Sequence, residues 1–549
     1  MCDTRSVTIS RRRFLALSAS FTIAACSSDG EETGGTSTGD AADTTTATSA
    51  SAPSSTTSTV ASTTTVADTT TTQSTTTTTV ELEADPFLYG VASGDPDERS
   101  VVLWTRLGGD LGSAQDADGE IPVDWTFRGD SGDEITGTAT TDESQGYSLH
   151  VVAQISEPGT FSFGVGGFTS PSGRTAPIDP AASEFRIATA SCQNYQTGRY
   201  AAHRDIAEWS PDLVIFLGDF IYERGPLDPD DPLRVRDHES DEVMDLPGYR
   251  GRYGTYLSDP QLQASRAAAP WLAIWDDHEV ENDYAGLVSQ NDGEDPASFA
   301  KRRAQAYQAW WENTPTRLAP PSARSSPDEP YVIYRGIDVG RLVRISALDG
   351  RQYRSPPVSR AILDVGPPVE GWDDPARTML GDEQERWIAE RFESTTATWN
   401  CLAQQTILSD TRLVANGAIL NYDQWDGYHP ARERLLANAP DNLVTVTGDI
   451  HLAGVGEIGP IGDPVGIEFV TTAISSPANI DPALTDVVLS IPSIVDAELV
   501  SRGYTRHTIT REAWTAEYRQ VADITSADSP VKTWKTFRVD AGSPAAAET

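Results

Sequence analysis

Lysine and basic charge in general are scarce in this chain. Its 549 residues include 41 Lys and Arg against 81 Asp and Glu, which leaves a formal net charge of −40. Lysine occurs only at Lys301, Lys532 and Lys535, so arginine, which can bind carboxylate or phosphate bidentately, supplies almost all of the positive charge. This scarcity argues against a nucleic-acid-binding module and against adhesion to anionic membranes. It favours acidic clusters that bind multivalent cations.

Long apolar runs are also missing. The apolar stretch at 14–25 is shorter than the roughly 20 residues that span a bilayer. It overlaps 10–15 (SRRRFL), which resembles a twin-arginine export signal, and it is followed by Cys26 after Ile-Ala-Ala, which resembles a lipobox. We therefore expect 1–26 to be a twin-arginine and lipoprotein signal, read by the twin-arginine export machinery. The protein would then be lipid-anchored at the cell surface through Cys26. An ordinary cleaved signal with an incidental cysteine is the alternative.

Large apolar side chains are nearly absent from the next segment, 27–84, which is rich in Thr, Ser, Ala and Gly. Such a segment cannot bury enough surface to offset the entropy of ordering the chain. It is predicted to be a disordered stalk.

Cysteine is rare, with four in the whole chain. Cys2 and Cys26 fall in the predicted signal, so the folded part contains only Cys192 and Cys401. In an exported protein two cysteines are typical of a disulfide. A metal thiolate at Cys192 is the alternative, because Cys192 directly follows a predicted strand while Cys401 begins one.

Two folded regions follow the stalk. Residues 85–180 contain short β-like runs at 100–107, 123–130 and 148–155, which predict a small all-β, immunoglobulin-like sandwich. A Pro- and Ser-containing linker at 169–183 leads to the second region, 184–545. There, apolar runs alternate with helical segments, a pattern typical of an α/β domain with buried parallel strands. The predicted strands are 185–190, 213–218, 271–275, 342–348, 401–408, 443–448 and 467–473, and the predicted helices are 200–209, 298–312 and 382–393.

Polar side chains follow five of these strands at the point where each strand ends. In open α/β sheets ligands bind at the carboxyl ends of the strands. A single Asp after a strand is more often a helix N-cap, but five such ends with acidic, thiol, phenol and imidazole groups indicate a metal site. The ends are 191–193 (SCQ), 219–222 (DFIY), 276–279 (DDHE), 349–351 (DGR) and 449–451 (DIH).

The donor types suggest which metals bind. Carboxylate and amide oxygens suit calcium, magnesium or manganese, whereas a thiolate, a phenolate and an imidazole suit iron. A closely spaced mixed cluster would polarise a phosphoryl oxygen and lower the pKa of a bound water, giving a nucleophile near neutral pH. Two histidines, His278 and His451, follow strands, and we expect the other five to be structural. Those five are His150, His203, His238, His429 and His507.

Several spaced motifs resemble one enzyme family. The sequence GDFIY at 218–222, DHE at 277–279 and GDIH at 448–451 resemble the metal-binding motifs of dinuclear metallophosphoesterases. Together with ATASCQNYQTGRY at 188–200 and LDGRQYRSP at 348–356, they are similar to the PhoD family of alkaline phosphatases and phosphodiesterases. The resemblance runs from about Asp85 to the C-terminus. It implies an α/β metallophosphoesterase-like sandwich, central β-sheets flanked by helices, behind the β-domain.

The resemblance also implies roles for individual residues. Asp219 would bridge two metals. One of them, Fe³⁺, would also be coordinated by Cys192, Tyr222 and His451. The Ca²⁺ ligands would be Asp277, Asp449 and Asn282. Asp276, adjacent to Asp277, is an alternative ligand.

Two residues are expected to act on the substrate. The resemblance implies that His278 contacts the phosphate and protonates the leaving oxygen, and the charge and position of Arg351 suggest a phosphate clamp. The predicted function is a secreted, metal-dependent phosphoester hydrolase that releases phosphate from monoesters, diesters or both. A phospholipase D-like or nuclease-like phosphodiesterase is one alternative. A calcium-binding surface lipoprotein is another, against which the iron-type ligands Cys192 and Tyr222 argue.

Overall fold

The computed structural model describes residues 81–291, 293–360, 366–413, 417–478 and 480–549. The predicted signal at 1–26 and the stalk up to residue 80 lie outside the described residues. The last stalk residues do not fit that prediction, because Leu82 is buried and its N–H donates to the Gly166 carbonyl at 3.0 Å. The described residues from 81 onward belong to one compact unit.

The first folded region contributes eight strands. They are β1 (Val91–Gly94), β2 (Ser100–Arg106), β3 (Ile121–Gly129), β4 (Glu134–Thr141), β5 (Ser148–Gln154), β6 (Gly159–Val165), β7 (Phe168–Thr169) and β8 (Gly173–Thr175).

The second region alternates strands and helices in its first two thirds and ends in antiparallel strands. Its strands are β9 (Glu184–Ala190), β10 (Leu213–Phe216), β11 (Pro270–Ala273), β12 (Arg335–Val339), β13 (Val343–Ala347), β14 (Trp399–Gln404), β15 (Leu443–Thr447), β16 (Ala453–Ile458), β17 (Gly466–Val470), β18 (Ile494–Glu498), β19 (Arg502–Thr510), β20 (Ala513–Val521), β21 (Val531–Asp540) and β22 (Ala546–Glu548). Its helices are α1 (Ala201–Trp209), α2 (Leu246–Leu257), α3 (Pro260–Ala268), α4 (Pro296–Asn313), α5 (Gly381–Glu393), α6 (His429–Leu436) and α7 (Thr485–Val488).

These strands form three sheets. The largest has ten strands in the order β22-β21-β20-β19-β9-β10-β11-β1-β2-β5, and β9, β10, β11 and β1 run parallel within it. A seven-stranded sheet has the order β12-β13-β14-β15-β17-β16-β18, with β13, β14, β15 and β17 parallel. The third sheet has the order β4-β3-β6-β7, and β8 also pairs with β6.

One hydrophobic core joins the two larger sheets. It contains Ile187 and Ile215 from the ten-stranded sheet together with Ile345, Val446 and Phe469 from the seven-stranded sheet. All four residues of β10 are buried, as expected for a parallel strand covered on both faces. This packing brings the carboxyl ends of parallel strands from both sheets to the same region.

The seven strands and three helices predicted in the second region are confirmed, with ends that differ by a few residues. The first region differs from a free-standing immunoglobulin-like sandwich. It does have two β layers, since Phe127 and Phe161 of the five-stranded sheet pack in one core with Val101 and Leu103 of β2. However, β1, β2 and β5 are part of the ten-stranded sheet, because β1 pairs in parallel with β11. One layer of the sandwich is therefore continuous with the larger domain.

Within the described residues, none of the helices combines the length and apolarity needed to cross a bilayer.

Candidate metal centre

The candidate site lies where loops after β9, β10, β11 and β15 meet. Glycine makes this close approach possible: a Cβ on Gly448, after β15, would lie 2.6 Å from Ser191 Oγ, after β9. Similarly, a Cβ on Gly218 would lie 2.4 Å from Asp276 Cβ, and Gly218 also has a positive φ of 108°. Any larger residue would push these loops apart. Gly448 thus lets the loops of the two sheets meet, and Gly218 lets two neighbouring loops of the ten-stranded sheet meet, so that the ligand residues come together.

Three overlapping groups of side chains could each hold a metal ion, with ligand atoms within 4.8 Å of one another. Asp219 belongs to two of the groups, and Asp277 also belongs to two, so the groups form one continuous centre. The groups are Cys192, Asp219 and His451; Asp219, Asp277 and His278; and Asp276, Asp277 and Asp449. Six of the sequence-predicted site residues are therefore brought together, with Asp276 beside them.

Tyr222, also predicted as a ligand, adjoins the first group. Its hydroxyl donates to Asp219 Oδ2 at 2.7 Å and lies 3.3 Å from His451 Nε2. Ser476 Oγ lies 2.7 Å from the Tyr222 hydroxyl and 2.8 Å from the Cys192 carbonyl, either of which can accept its hydrogen. The two cysteines of the described region, Cys192 and Cys401, are both free and buried, so the disulfide alternative is wrong.

The imidazole ring of His278 is contacted by Glu223 at its edge and by Tyr222 on one face. Its Nδ1 lies 2.6 Å from Glu223 Oε2, and its ring centroid lies 4.1 Å from that of Tyr222.

The neighbouring Glu279 binds backbone groups instead of the His278 ring. Its carboxylate accepts from the backbone N–H groups of Asp219 (3.1 Å), Phe220 (2.6 Å) and Asp276 (2.8 Å), and so ties the loop after β10 to the loop after β11.

Arg351 occupies a different position from the predicted phosphate clamp. Its side chain is fully buried and donates to Asp276, to Asp423 at 2.7 Å and to Asp449 at 3.0 Å. The guanidinium also lies 3.8 Å from Asp277. In this arrangement it is the counter-charge of the acidic group, and its predicted role as a phosphate clamp stays a prediction.

Asn282 is not oriented as a free ligand. Its Oδ1 accepts from Arg224 at 3.0 Å, and its Nδ2 donates to Gln290 at 3.0 Å. Its predicted role in calcium binding stays a prediction.

Burial and mutual repulsion set the electrostatics of the centre. Burial first, and then the neighbouring acidic groups, raise the pKa of Asp219 and of Asp276 well above the ordinary range. Burial and Asp219 likewise raise the pKa of Cys192 and of Tyr222. Burial alone would raise the pKa of Asp277 too, but Arg351 and His278 lower it below its ordinary value. The centre therefore lacks positive charge for most of its acidic ligands.

The donor set fits a bound cation. Asp219 Oδ1 and Asp276 Oδ2 are buried and have no hydrogen-bond partner among the described residues. Leaving a buried carboxylate oxygen unpaired is costly. A cation at these oxygens would remove that cost and would lower the raised pKa values of the ligands. The residues present thus fit a metal centre of mixed oxygen, nitrogen and sulfur donors.

Sequence reasoning missed four residues around the centre: Glu223, Arg354, Asp423 and Ser476. Glu223 directly follows the Tyr222 of the recognised motif, so its position was a usable signal. Arg354 lies in the motif after β13 and contacts Asp423 at 2.7 Å. Asp423 and Ser476 lie in loops without a strand-end pattern that could have identified them.

Comparison with known proteins identifies relatives of this chain. A family model described as "PhoD-like phosphatase" matches residues 187–518, and one described as "PhoD-like phosphatase, N-terminal domain" matches residues 71–178. The chain is 37% identical over 476 residues to alkaline phosphatase D of Bacillus subtilis (strain 168), covering 82% of this chain and 80% of that protein. A solved structure described as "Structure of PhoD" superposes with a TM-score of 0.79 and 35% identity, covering 85% of this chain and 93% of that one.

Proposed function

This chain belongs to the PhoD-like phosphatase family, and we propose that it is a metal-dependent phosphoester hydrolase. The observation that carries the proposal is the continuous centre in which Asp219 and Asp277 are each shared by two potential metal groups. Shared carboxylates can hold two cations close together, and paired cations stabilise the attacking and leaving oxygens of a phosphoryl transfer. We further propose that the two larger sheets form a metallophosphoesterase-like sandwich behind an immunoglobulin-like β-domain.

We propose that the metals are Fe³⁺ and Ca²⁺. A thiol, a phenol and an imidazole surround the first position, through Cys192, Tyr222 and His451, and these donors suit iron. Carboxylates surround the other positions, and they suit calcium. When bound, the cations supply positive charge against the phosphoryl oxygens and acidify water at the site.

The protein's own residues have separate tasks in this scheme. Asp219 and Asp277 hold the cations together, and Arg351 balances part of the negative charge. His278, whose ring lies beside Asp219 and Asp277, is assigned to the substrate and not to a metal, and it donates the proton on Nε2 to the leaving oxygen of the ester. A phosphate-clamp role for Arg351 would use the guanidinium N–H groups that do not bind Asp276, Asp423 or Asp449.

The direct test is release of p-nitrophenolate from p-nitrophenyl phosphate and from bis(p-nitrophenyl) phosphate, measured side by side, together with the inorganic phosphate released from each. We expect hydrolysis by the metal-loaded protein, loss of activity after treatment with a calcium chelator, and recovery when calcium is added back. A purified protein that contains Fe³⁺ bound by Tyr222 should also absorb visible light through ligand-to-metal charge transfer. Normal hydrolysis by a colourless, metal-free protein in chelator would contradict the proposal.

The same assay decides the alternative activity. A phospholipase D-like or nuclease-like phosphodiesterase would act on the diester and on phospholipid or nucleic-acid substrates but would release little phosphate from the monoester. A calcium-binding lipoprotein without activity would hydrolyse neither compound.

We also propose that the protein is exported by the twin-arginine route and anchored at the cell surface through Cys26. The support is the sequence at 10–15 and the small residues before Cys26. Replacing Arg11 and Arg12 together by lysine should block export, and Cys26→Ala should release the exported protein from the membrane fraction. If the variant without Arg11 and Arg12 is still exported, the twin-arginine route is wrong. If Cys26→Ala stays in the membrane fraction, the lipid anchor is wrong.

A further inference from the structure

Glu223 is a buried acidic residue that the proposed metal centre does not use as a ligand. Its side chain is 1% exposed, and its two oxygens have different partners. Oε2 lies 2.6 Å from His278 Nδ1, and Oε1 accepts from the Asn282 backbone N–H at 3.2 Å. The carboxylate therefore bridges the loop after β10 to the turn after β11.

The backbone that carries Glu223 is itself fixed. Arg252, on α2, is buried and donates to the carbonyl of Tyr222 and to the carbonyl of Arg224 at 2.7 Å. These are the two residues that flank Glu223. The carboxylate thus has little freedom to move away from His278.

The contact leaves one nitrogen of His278 available for chemistry. Because Glu223 accepts a hydrogen bond, the hydrogen on that side of the ring lies on Nδ1. Tyr222 covers one ring face at 4.1 Å between centroids. Nε2 has no hydrogen-bond partner among the described residues, and it is the atom that can meet a substrate oxygen.

Glu279, the acidic residue next to His278 in the chain, does not orient the His278 ring. Glu279 directly follows His278, but its carboxylate already accepts three backbone N–H groups. The only acid in hydrogen-bond contact with the His278 ring among the described residues is therefore Glu223, which lies 55 positions away in the chain.

We propose that Glu223 is a positioning residue for the hydrolytic step: it accepts the Nδ1–H of His278 and fixes the ring, so that the protonated ring presents Nε2–H to the leaving oxygen of the phosphoester and is left as the neutral Nδ1–H tautomer after the transfer. This inference rests on the proposed hydrolase function. Glu223 does not touch the substrate and acts only through His278.

A double-mutant cycle with Glu223→Ala and His278→Ala tests the proposal in the full-length, metal-loaded protein. We expect Glu223→Ala to lower kcat on the order of 10- to 100-fold, with KM and metal content essentially unchanged. In the His278→Ala background the same change should add almost nothing, because residues that act as a unit are not additive. The loss should be larger for an alkyl phosphate than for p-nitrophenyl phosphate, whose leaving group needs little protonation.

Two further variants make the cycle decisive. Glu208→Ala, on the exposed face of α1 with a side chain 68% exposed, is the matched control and should leave kcat unchanged. Glu223→Gln preserves side-chain size and replaces Glu223→Ala in the cycle if the alanine variant does not fold. Three results would each overturn the inference. The losses in the double variant could be independent and multiply, the losses could be equal for both substrates, or the Glu223 variants could lose metal. A wild-type protein that hydrolyses neither ester would instead overturn the proposed function.

Discussion

Four residues that carry candidate metal ligands have backbone conformations that only glycine adopts readily. They are Cys192 (φ 57°), Asp219 (φ 58°), Asp449 (φ 62°) and His451 (φ 59°). A left-handed conformation in a residue with a Cβ costs of the order of 1–3 kcal/mol and persists only where the surrounding structure imposes it. Glycine would relieve this strain at each position, but it would remove the ligand. The strain is therefore consistent with selection of these side chains for their chemistry.

Asp219 is one of the two residues on which the centre depends most, because Asp219 and Asp277 each belong to two potential metal groups. Asp219→Asn removes one negative charge from both groups, so we expect loss of bound metal together with a fall in kcat of at least about 100-fold. Metal analysis of the purified protein and a phosphate-release assay measure both effects. Asp338→Asn, a surface residue paired with Arg344 and Arg391, is the control. A fully active Asp219→Asn protein would contradict the proposed site.

The two buried cysteines provide an internal comparison. Cys192 lies in a group with Asp219 and His451, whereas Cys401 lies within β14 in the hydrophobic core. We expect Cys192→Ser to weaken iron binding and to lower the visible absorption in proportion to the iron that is lost. Cys401→Ser should retain both, at a stability cost of about 1 kcal/mol from burying a hydroxyl. Equal metal loss in the two variants would show that the effect is structural and would contradict a thiolate ligand.

The strands and helices of the second region could be predicted because buried parallel strands are continuous apolar runs bounded by polar residues. The same rule located most of the site, since ligands at the carboxyl ends of such strands follow directly from topology. Contacts made between distant loops could not be predicted in this way. Arg351 and Asp423 are 72 positions apart, and nothing in the local sequence of either indicates the other. Arg351 was therefore predicted to clamp phosphate when its described partners are carboxylates.

The β9–β19–β20 part of the ten-stranded sheet contains a buried histidine that should make stability depend on pH. His507 Nδ1 accepts from Trp514 Nε1 at 3.0 Å, and Thr189 Oγ1 lies 3.0 Å from His507 Nε2, so the ring is neutral. Burial lowers the pKa of His507 to about 3. The unfolded chain binds a proton near pH 6.5 and the folded chain does not, so stability falls as pH decreases from about 6.5 toward 3.

Urea unfolding at pH 7 and pH 5 measures this effect. From the two pKa values, His507 should account for about 2 kcal/mol of the stability lost between these pH values. In His507→Gln that part of the pH dependence should disappear, whatever the variant's absolute stability, because the remaining titrating groups are common to both proteins. An identical pH dependence in the two proteins would contradict a neutral, buried His507.

At the scale of the whole molecule, residues 85–180 share a β-sheet with the second region, 184–545. Composition at 169–183 suggested a linker between two domains, but this segment contains β8, and the N–H of Ile178 donates to the Asp97 carbonyl at 2.9 Å. Proline and glycine content shows where a chain turns. It does not show that β1 pairs with β11, a strand nearly 180 residues later. The described residues of both regions consequently belong to one compact unit.

Asp95, in the loop after β1, forms a buried polar link between the two regions. It pairs with Arg335 at 2.8 Å and accepts from Thr316 Oγ1 at 2.6 Å, and Arg335 also donates to the Ala273 carbonyl, at the end of β11. Asp95→Ala would leave Arg335 largely buried without its counter-charge, which costs about 3–5 kcal/mol. We expect that loss in denaturant unfolding, whereas Asp130→Ala, which breaks an exposed pair with Arg174, should cost less than about 1 kcal/mol.

The way in which the Asp95→Ala protein unfolds tests the shared sheet itself. If β1 and β11 are part of one cooperative structure, tryptophan fluorescence and hydrolytic activity should be lost in a single transition, at a lower denaturant concentration than in the wild type. Because Ala273 lies three residues before Asp276, metal affinity should weaken along with stability. Two separate transitions, the first without loss of activity, would mean that residues 85–180 unfold on their own as an independent domain, contrary to the continuous ten-stranded sheet.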